Sequence, residues 1–263
     1  MDVKVIDESK EKLQMRITGE GPAYVNALRR FMAFEVPVMA IEDVEFRVNN
    51  SILYDEMVAH RLGLVPLKTD LESYNLSGEC SCKGAGCAQC RLTLTLKVQG
   101  PKTVYAGDMK SKDPKVKPVF PQTPIVKLLD GQDMEFEATA VLGVGKEHTK
   151  WAPGLIFYRN VPKITIKGQP KMGEAIAKKC PSKCFDYKDG KLSLNAKNAD
   201  SCILCNECVD LSSGGVMVET EDDYFVFVES FGQLPPEDIV IKAVEVFNTQ
   251  VQGFTKLLKE VPE

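Results

Sequence analysis

An α+β fold is predicted by two observations on the 263-residue sequence. Short stretches of strictly alternating apolar residues recur along most of the chain, and three segments carry apolar residues at helical spacing, the longest of them at the C-terminal end. Between these elements lie nine cysteines gathered into two modules, and they set the chemistry. The composition, 44% apolar and 27% charged, argues against disorder, and the length permits one or two domains with a sizeable core. A formal net charge of -4 gives no electrostatic basis for wrapping nucleic acid, so direct binding to DNA or RNA is not expected. The opening MDVKVIDESKEKLQ has no apolar leader and no apolar run reaches the length of a membrane span. The expectation is a cytoplasmic protein, in whose reducing surroundings grouped thiols point to metal chemistry.

In order, residues 3–18 read as strands, with Leu13, Met15 and Ile17 alternating against Gln14 and Arg16. Gly19, Gly21 and Pro22 break the pattern, and Pro22 suits the first turn of a helix that runs to about Phe34, before Pro37. Its apolar face holds Tyr24, Val25, Leu28, Phe31 and Met32, and its polar face Asn26, Arg29 and Arg30. Val44, Phe46 and Val48 form a strand closed by the Asn49-Asn50 turn. DEMVAHRLGLVPL, from Asp55 to Leu67, reads as a helix stopped by Gly63 and Pro66, and its His60 has no partner that would give it a catalytic role.

The first cysteine module, CSCKGAGCAQC, spaces Cys80, Cys82, Cys87 and Cys90 as C-x-C-x4-C-x2-C. Four thiols on one short loop fit a closed, structural zinc site, with the glycines permitting the sharp turns. Cys82, Cys87 and Cys90 also match a plant-type [2Fe-2S] spacing, which then wants a distant fourth cysteine. Leu92, Leu94, Leu96 and Val98 alternate as a strand, the lysine- and proline-rich 110–124 region reads as an extended loop or edge, and Met134, Phe136, Ala138 and Ala140 alternate again. GVGKEHTKWAP lacks the phosphate-loop pattern. Ile164 and Ile166 mark a last short strand before the second module.

That module, residues 180–212, holds five cysteines. Cys202, Cys205 and Cys208 form a C-x2-C-x2-C run in which each thiolate can reach a different iron of a cubane, and Cys180-Pro181 resembles the remote fourth ligand of bacterial ferredoxins. The positions a second cluster would need are Pro170, Gly173, Ile176 and Ser212, so one [4Fe-4S] cluster is predicted on Cys180, Cys202, Cys205 and Cys208. Cys184 is left as a spare thiol or substitute ligand; a zinc site or disulfides are the plainer readings. Beyond the module, Val216, Val218, Phe225, Phe227 and Phe231 suggest a hairpin turning at the acidic ETEDD. The longest helix then opens at Pro235-Pro236, with Glu237 and Asp238 complementing its dipole. Val240, Val244, Phe247, Val251, Phe254, Leu258 and Val261 follow a 4-3-4-3-4-3 spacing, a seam suited to packing on a second chain.

NALRR at 26–30, DEMVAHRLGLVPL at 55–67, GKEHTKW at 145–151 and the long last helix, in this order, resemble the α-like subunits of DNA-directed RNA polymerase, in particular the archaeal D-type family with a ferredoxin-like insert. The resemblance covers essentially the whole chain. It implies a discontinuous dimerisation domain (1–50 and 214–263), an inserted β-rich domain (51–166) carrying the zinc loop, and a ferredoxin-like module (167–213). It also implies a subunit without an active site, which pairs with subunit L and nucleates the large catalytic subunits and the small subunits N and P. By resemblance, Asn26, Arg29 and Arg30 face the large subunits and the seam from Val240 to Val261 meets L. The competing classes are a ferredoxin-type electron carrier and a redox-responsive regulator; the lack of a second redox centre and of a basic recognition helix speaks against them.

Overall fold

Residues 1–260 are described by the computed structural model, so the Val261 end of the seam lies outside the described residues. In chain order the elements are β1 (Asp2–Glu8), β2 (Lys12–Thr18), α1 (Pro22–Phe34), β3 (Val38–Asn49), α2 (Asp55–Gly63), β4 (Leu92–Gln99), β5 (Lys102–Tyr105), β6 (Lys110–Ser111), β7 (Pro124–Leu128) and β8 (Asp133–Gly143). They continue with β9 (Gly154–Ile166), α3 (Gly173–Lys179), β10 (Phe185–Lys188), β11 (Lys191–Leu194), α4 (Glu207–Ser212), β12 (Val216–Ser230) and α5 (Pro236–Glu260). One four-stranded sheet has the order β1-β2-β12-β9, a second β3-β8-β4-β6, and two-stranded sheets pair β5 with β7 and β10 with β11. The chain divides into two compact units, one of Met1–Ile6, Gln14–Val25 and Tyr158–Val226, the other of Asp7–Leu13, Asn26–Phe157 and Phe227–Glu263.

In the larger unit, alternation fixes the register. Met134, Phe136, Ala138, Ala140 and Leu142 on β8 are buried and meet Leu92, Leu94 and Leu96 of β4 and Met39 and Ile41 of β3 in one core. Phe46 stands opposite Phe136 in the ladder, with ring centroids 5.8 Å apart and edge to face. The outward residues are charged: Lys97 meets Glu135 at 2.8 Å, and Arg47 lies near Glu135 and Glu137. Val58 and Leu62, four apart on α2, press into the same core. Trp151 closes the open end of β8. Its indole Nε1 donates to the Val141 carbonyl at 3.3 Å, and a side chain on Gly143 would overlap the ring. The smaller unit has its own modest core, built on Ile176, Phe185, Leu192, Val216 and the buried cysteines Cys184, Cys202 and Cys208.

Several sequence expectations are corrected. The ETEDD segment is not a turn, because β12 runs unbroken through it from Val216 to Ser230. It contains no glycine or asparagine to reverse the chain, and its acids have a partner: Arg16 of β2 donates to Asp223 at 2.6 Å and to Glu221 at 3.0 Å. The strand at Ile164 and Ile166 is the end of the long β9, which starts at Gly154. The second helix, by contrast, stops at Gly63 as its glycine predicts. The 110–124 region is loop and edge as expected: Lys110–Ser111 pairs at the edge of the second sheet, a Leu67–Pro118 bridge ties the loop, and Pro124 opens β7.

That loop is locked by Asp70, whose carboxylate accepts from Lys115 Nζ and the Ser73 hydroxyl, each at 2.8 Å, and from the amides of Glu72 at 3.0 Å and Ser73 at 3.2 Å. The Lys115 ammonium and these donors hold the Asp70 carboxyl well below the usual carboxylate range. A depressed folded value means the stabilisation is complete above the unfolded value of about 4 and is lost as pH falls below it. Denaturation measured against pH is therefore expected to show Asp70→Asn less stable than the parent at pH 7, with the two converging in acid below about pH 4.

Candidate metal centres

The first centre is a turn built around sulfur. Gly84 and Gly86 have φ of +82° and +89° and Lys83 has φ of +52°, so the chain curls left-handed between Cys82 and Cys87. Backbone bonds close the two knuckles: Lys83 N–H to the Cys80 carbonyl at 2.8 Å, Ala85 to Cys82 at 3.1 Å, and Cys90 and Arg91 to Cys87 at 3.0 Å. All four sulfurs lie within 4.8 Å of one another. Cys80 and Cys87 are 3.5 Å apart, Cys82 and Cys90 3.5 Å, Cys87 and Cys90 4.0 Å.

A single ion bound tetrahedrally at about 2.3 Å from each thiolate would set the sulfurs about 3.8 Å apart, so the donor set fits one metal ion. A two-iron cluster would hold its thiolates as two separated pairs, which this cage does not provide. The thiols are electrostatically unequal. Amides of Gly86 and Cys87 directed at Cys82 lower its pKa to about 6, whereas burial pushes Cys90 up to about 12. Cys80 and Cys90 are buried, and Cys82 and Cys87 are half-buried.

The second centre draws its cysteines from four places. Cys180 caps the C-terminal end of α3, Cys184 precedes β10, Cys202 and Cys205 lie on the loop before α4, and Cys208 is on α4 itself. All five line one cavity together with Pro181, Phe185 and Ile203. The loop reaches this shape at a cost, since Leu204 and Asn206 have φ of +59° and +60°, a region that side chains other than glycine rarely occupy. These two bends lie one between each successive pair of the run Cys202, Cys205, Cys208, of which Cys205 is exposed and the other two are buried.

Cys180 Sγ accepts the backbone N–H of Cys184 at 3.3 Å, a donor suited to a thiolate. Cys184 itself is fully buried and donates its S–H to the Asn198 carbonyl at 3.3 Å. Burial pushes the Cys184 thiol up to about 12, and burial likewise raises Cys208. The cavity thus gathers thiols from a helix end, a loop and a second helix. Where a second cluster would require ligands, the chain has packed apolar matter instead. Ile176 is buried, and a side chain on Gly173 would strike the Tyr187 ring at 2.9 Å.

The residues expected from the resemblance to face partners fall as follows. Asn26 Oδ1 receives the Arg29 Nε–H at 3.1 Å, while Arg30 is exposed on the same helix. On α5, Val240, Val244 and Phe247 are half-buried, the last with its ring 4.7 Å from that of Phe31 on α1, whereas Val251, Phe254 and Leu258 are exposed. Sequence reasoning missed Arg159 of β9, which donates to the Cys202 carbonyl at 2.8 Å and to the Asp200 carbonyl. It stands well before the cysteine run and no spacing rule points to it. His60 and His148 are remote from both cysteine groups in sequence, and neither joins a group able to hold a metal among the described residues.

Residues 44–156 match the family described as RNA polymerase Rpb3/RpoA insert domain. The chain is 35% identical to DNA-directed RNA polymerase subunit Rpo3 of Archaeoglobus fulgidus over 99% of its own length and 98% of the relative's. It is 34% identical to subunit Rpo3 of Pyrococcus horikoshii over 98% of both chains, and 37% identical to that of Pyrobaculum arsenaticum over 97% of this chain and 95% of the relative. These relatives are named Rpo3, so the D-type designation taken from the resemblance is corrected to Rpo3. Similarity to polymerase subunits along nearly the whole length does not favour a free-standing electron carrier.

The geometry of the first centre predicts that each chain binds one thiolate-held metal ion. Titration against a competing chelator is expected to show Cys82→Ser holding that ion roughly tenfold or more weakly, with the β-sheet circular dichroism of the parent retained.

Proposed function

The chain belongs to the family of archaeal DNA-directed RNA polymerase subunit Rpo3, a non-catalytic subunit of that enzyme, and from this premise we propose that it is an assembly platform whose last helix receives a smaller α-like partner. The observation that carries the reading is the change in burial along α5. Ile239 and Ala243 are buried in the first turns, but Val251, Phe254, Leu257 and Leu258 stand 48%, 63%, 64% and 56% exposed on the described chain. A side chain of this kind contributes roughly 1.5–3 kcal/mol when fully buried. Four of them in one stripe, on a helix anchored at its other end, suit a helix–helix interface with a second chain, the part the resemblance gives to subunit L. The large catalytic subunits then dock on the α1 face of Asn26, Arg29 and Arg30, and subunits N and P join later. With this goes a three-part division: a dimerisation domain from 1–50 and 214–263, an inserted domain over 51–166, and a ferredoxin-like module over 167–213.

In this reading Cys80, Cys82, Cys87 and Cys90 hold a structural zinc ion, and Cys180, Cys202, Cys205 and Cys208 hold one [4Fe-4S] cluster, with Cys184 as the protonated neighbour. When bound, the cluster supplies iron–thiolate bonds that join the end of α3, the loop and α4. The residues' own contribution is to aim four thiolates inward through the Leu204 and Asn206 bends and to exclude water with Ile176, Phe185 and Leu192. Because metal-binding energy is folding energy in such modules, cluster supply governs whether the insert is folded when the large subunits arrive.

Co-expression followed by sizing separates the two parts. Phe254→Asp is expected to abolish one-to-one pairing with the small α-like partner while leaving the fold intact, since the residue is exposed. Cys205→Ser is expected to keep that pairing, lose iron and sulfide, and recover less of the large subunits. Full pairing by Phe254→Asp would contradict the platform reading, and full recovery by iron-free Cys205→Ser would contradict the role of the cluster.

A further inference from the structure

Arg159 of β9 reaches into the cysteine module, and three contacts fix it there. Its Nη1 donates to the Cys202 carbonyl at 2.8 Å and its Nη2 to the Asp200 carbonyl, so one guanidinium grips the main chain on both sides of Ser201. The guanidinium carbon lies 5.1 Å from the centroid of the Phe225 ring, itself wholly buried. The strand that carries it is held by the neighbouring Asn160, whose side-chain amide donates to the Glu221 carbonyl at 3.2 Å. A half-buried cation is therefore fixed against the segment on which Cys202 stands, where Cys202 and its neighbours would otherwise depend on an irregular loop with left-handed bends at Leu204 and Asn206.

We propose that Arg159 is a positioning residue for the iron–sulfur module: it fixes the backbone from which the Cys202 thiolate enters the cavity, and its permanent positive charge offsets the anionic charge of the thiolate-bound cluster. The inference rests on the cluster reading above. Such outer partners commonly change the affinity of a metal site by roughly 10–100-fold when removed. Charge close to a cluster also moves its reduction potential, because the reduced form is the more anionic. A guanidinium that merely satisfied two loop carbonyls would affect lifetime and leave the potential alone.

The test uses the full-length chain, reconstituted anaerobically with iron and sulfide, as wild type, Arg159→Gln and Arg159→Lys. Iron and acid-labile sulfide, the half-life of the visible absorbance under a chelator, and the midpoint potential followed by electron paramagnetic resonance are measured on each. Wild type is expected to carry one cluster. Arg159→Gln is expected to lose it roughly tenfold faster and to have a more negative midpoint. Arg159→Lys, which keeps the charge without the planar two-carbonyl grip, is expected to keep a near-wild-type potential but a shortened half-life.

Wild-type lifetime and potential in both variants would overturn the proposal, and an unchanged potential in Arg159→Gln would reduce the residue to a structural clamp and overturn the role of its charge. If Arg159→Gln fails to fold by circular dichroism, the half-life of Arg159→Lys decides: shortened supports the grip, unchanged overturns it. Wild-type chain that takes up no iron and sulfide would instead overturn the cluster reading itself, and the inference with it.

Discussion

Sulfur crowding is the constraint on which both cysteine modules depend. The first brings four sulfurs within 4.8 Å of one another on a loop whose backbone bends left-handed at Lys83, Gly84 and Gly86. The second brings five cysteines to one cavity and bends left-handed at Lys183, Leu204 and Asn206. Non-glycine residues in that region cost about 1–3 kcal/mol each, and thiolates gathered so closely repel one another. Little apolar burial is available locally to offset these costs, since the core of the second module is a handful of residues around Ile176, Phe185 and Leu192. Structural zinc binding is worth ~10–16 kcal/mol in small thiolate modules, enough to outweigh several such strains. On the reading proposed above, the modules are the places where the fold is conditional on bound metal, within a chain whose other elements are not.

The unconditional part is the β-sheet core. β8 and β4 alternate buried apolar residues with half-exposed threonines and charges, so their register is specified by the core itself. The same physics explains why α5 divides into two halves. Its first turns bury Ile239 and Ala243, and Phe247 meets Phe31, after which the apolar stripe continues onto exposed surface at Val251, Phe254, Leu257 and Leu258. A helix whose ordering is already secured at one end can present a rigid apolar stripe at the other, which is the property an assembly subunit requires.

Much of this is legible in the residues themselves, for reasons that also mark the limits. Period-two patterns at Leu92–Val98 and Met134–Ala140 became β4 and β8 because one buried face leaves a clean signal. The first helix matched at Pro22 and Phe34 because Pro22 and Pro37 punctuate it. The acidic 219–223 segment misled because a row of carboxylates reads as a solvated turn, whereas Arg16 from a distant strand offsets their charge within β12. β5, β7 and the β10–β11 hairpin are built of strands four or five residues long, too short for periodicity to separate them from loop. The cysteine groupings follow from spacing alone, but the Leu204 and Asn206 bends, the Cys184 bond to Asn198 and the reach of Arg159 from β9 are long-range or conformational facts that no local pattern carries.

Whether metal holds the two modules while apolar packing holds the rest is tested most directly by hydrogen exchange, read by mass spectrometry on the metal-loaded chain before and after chelation. Amides of residues 76–91 and 173–212 are expected to lose protection on chelation, while those of β3, β4, β8 and the first half of α5 keep it. Unchanged protection in both cysteine segments, or an equal loss throughout the sheet core, would contradict that division of the fold.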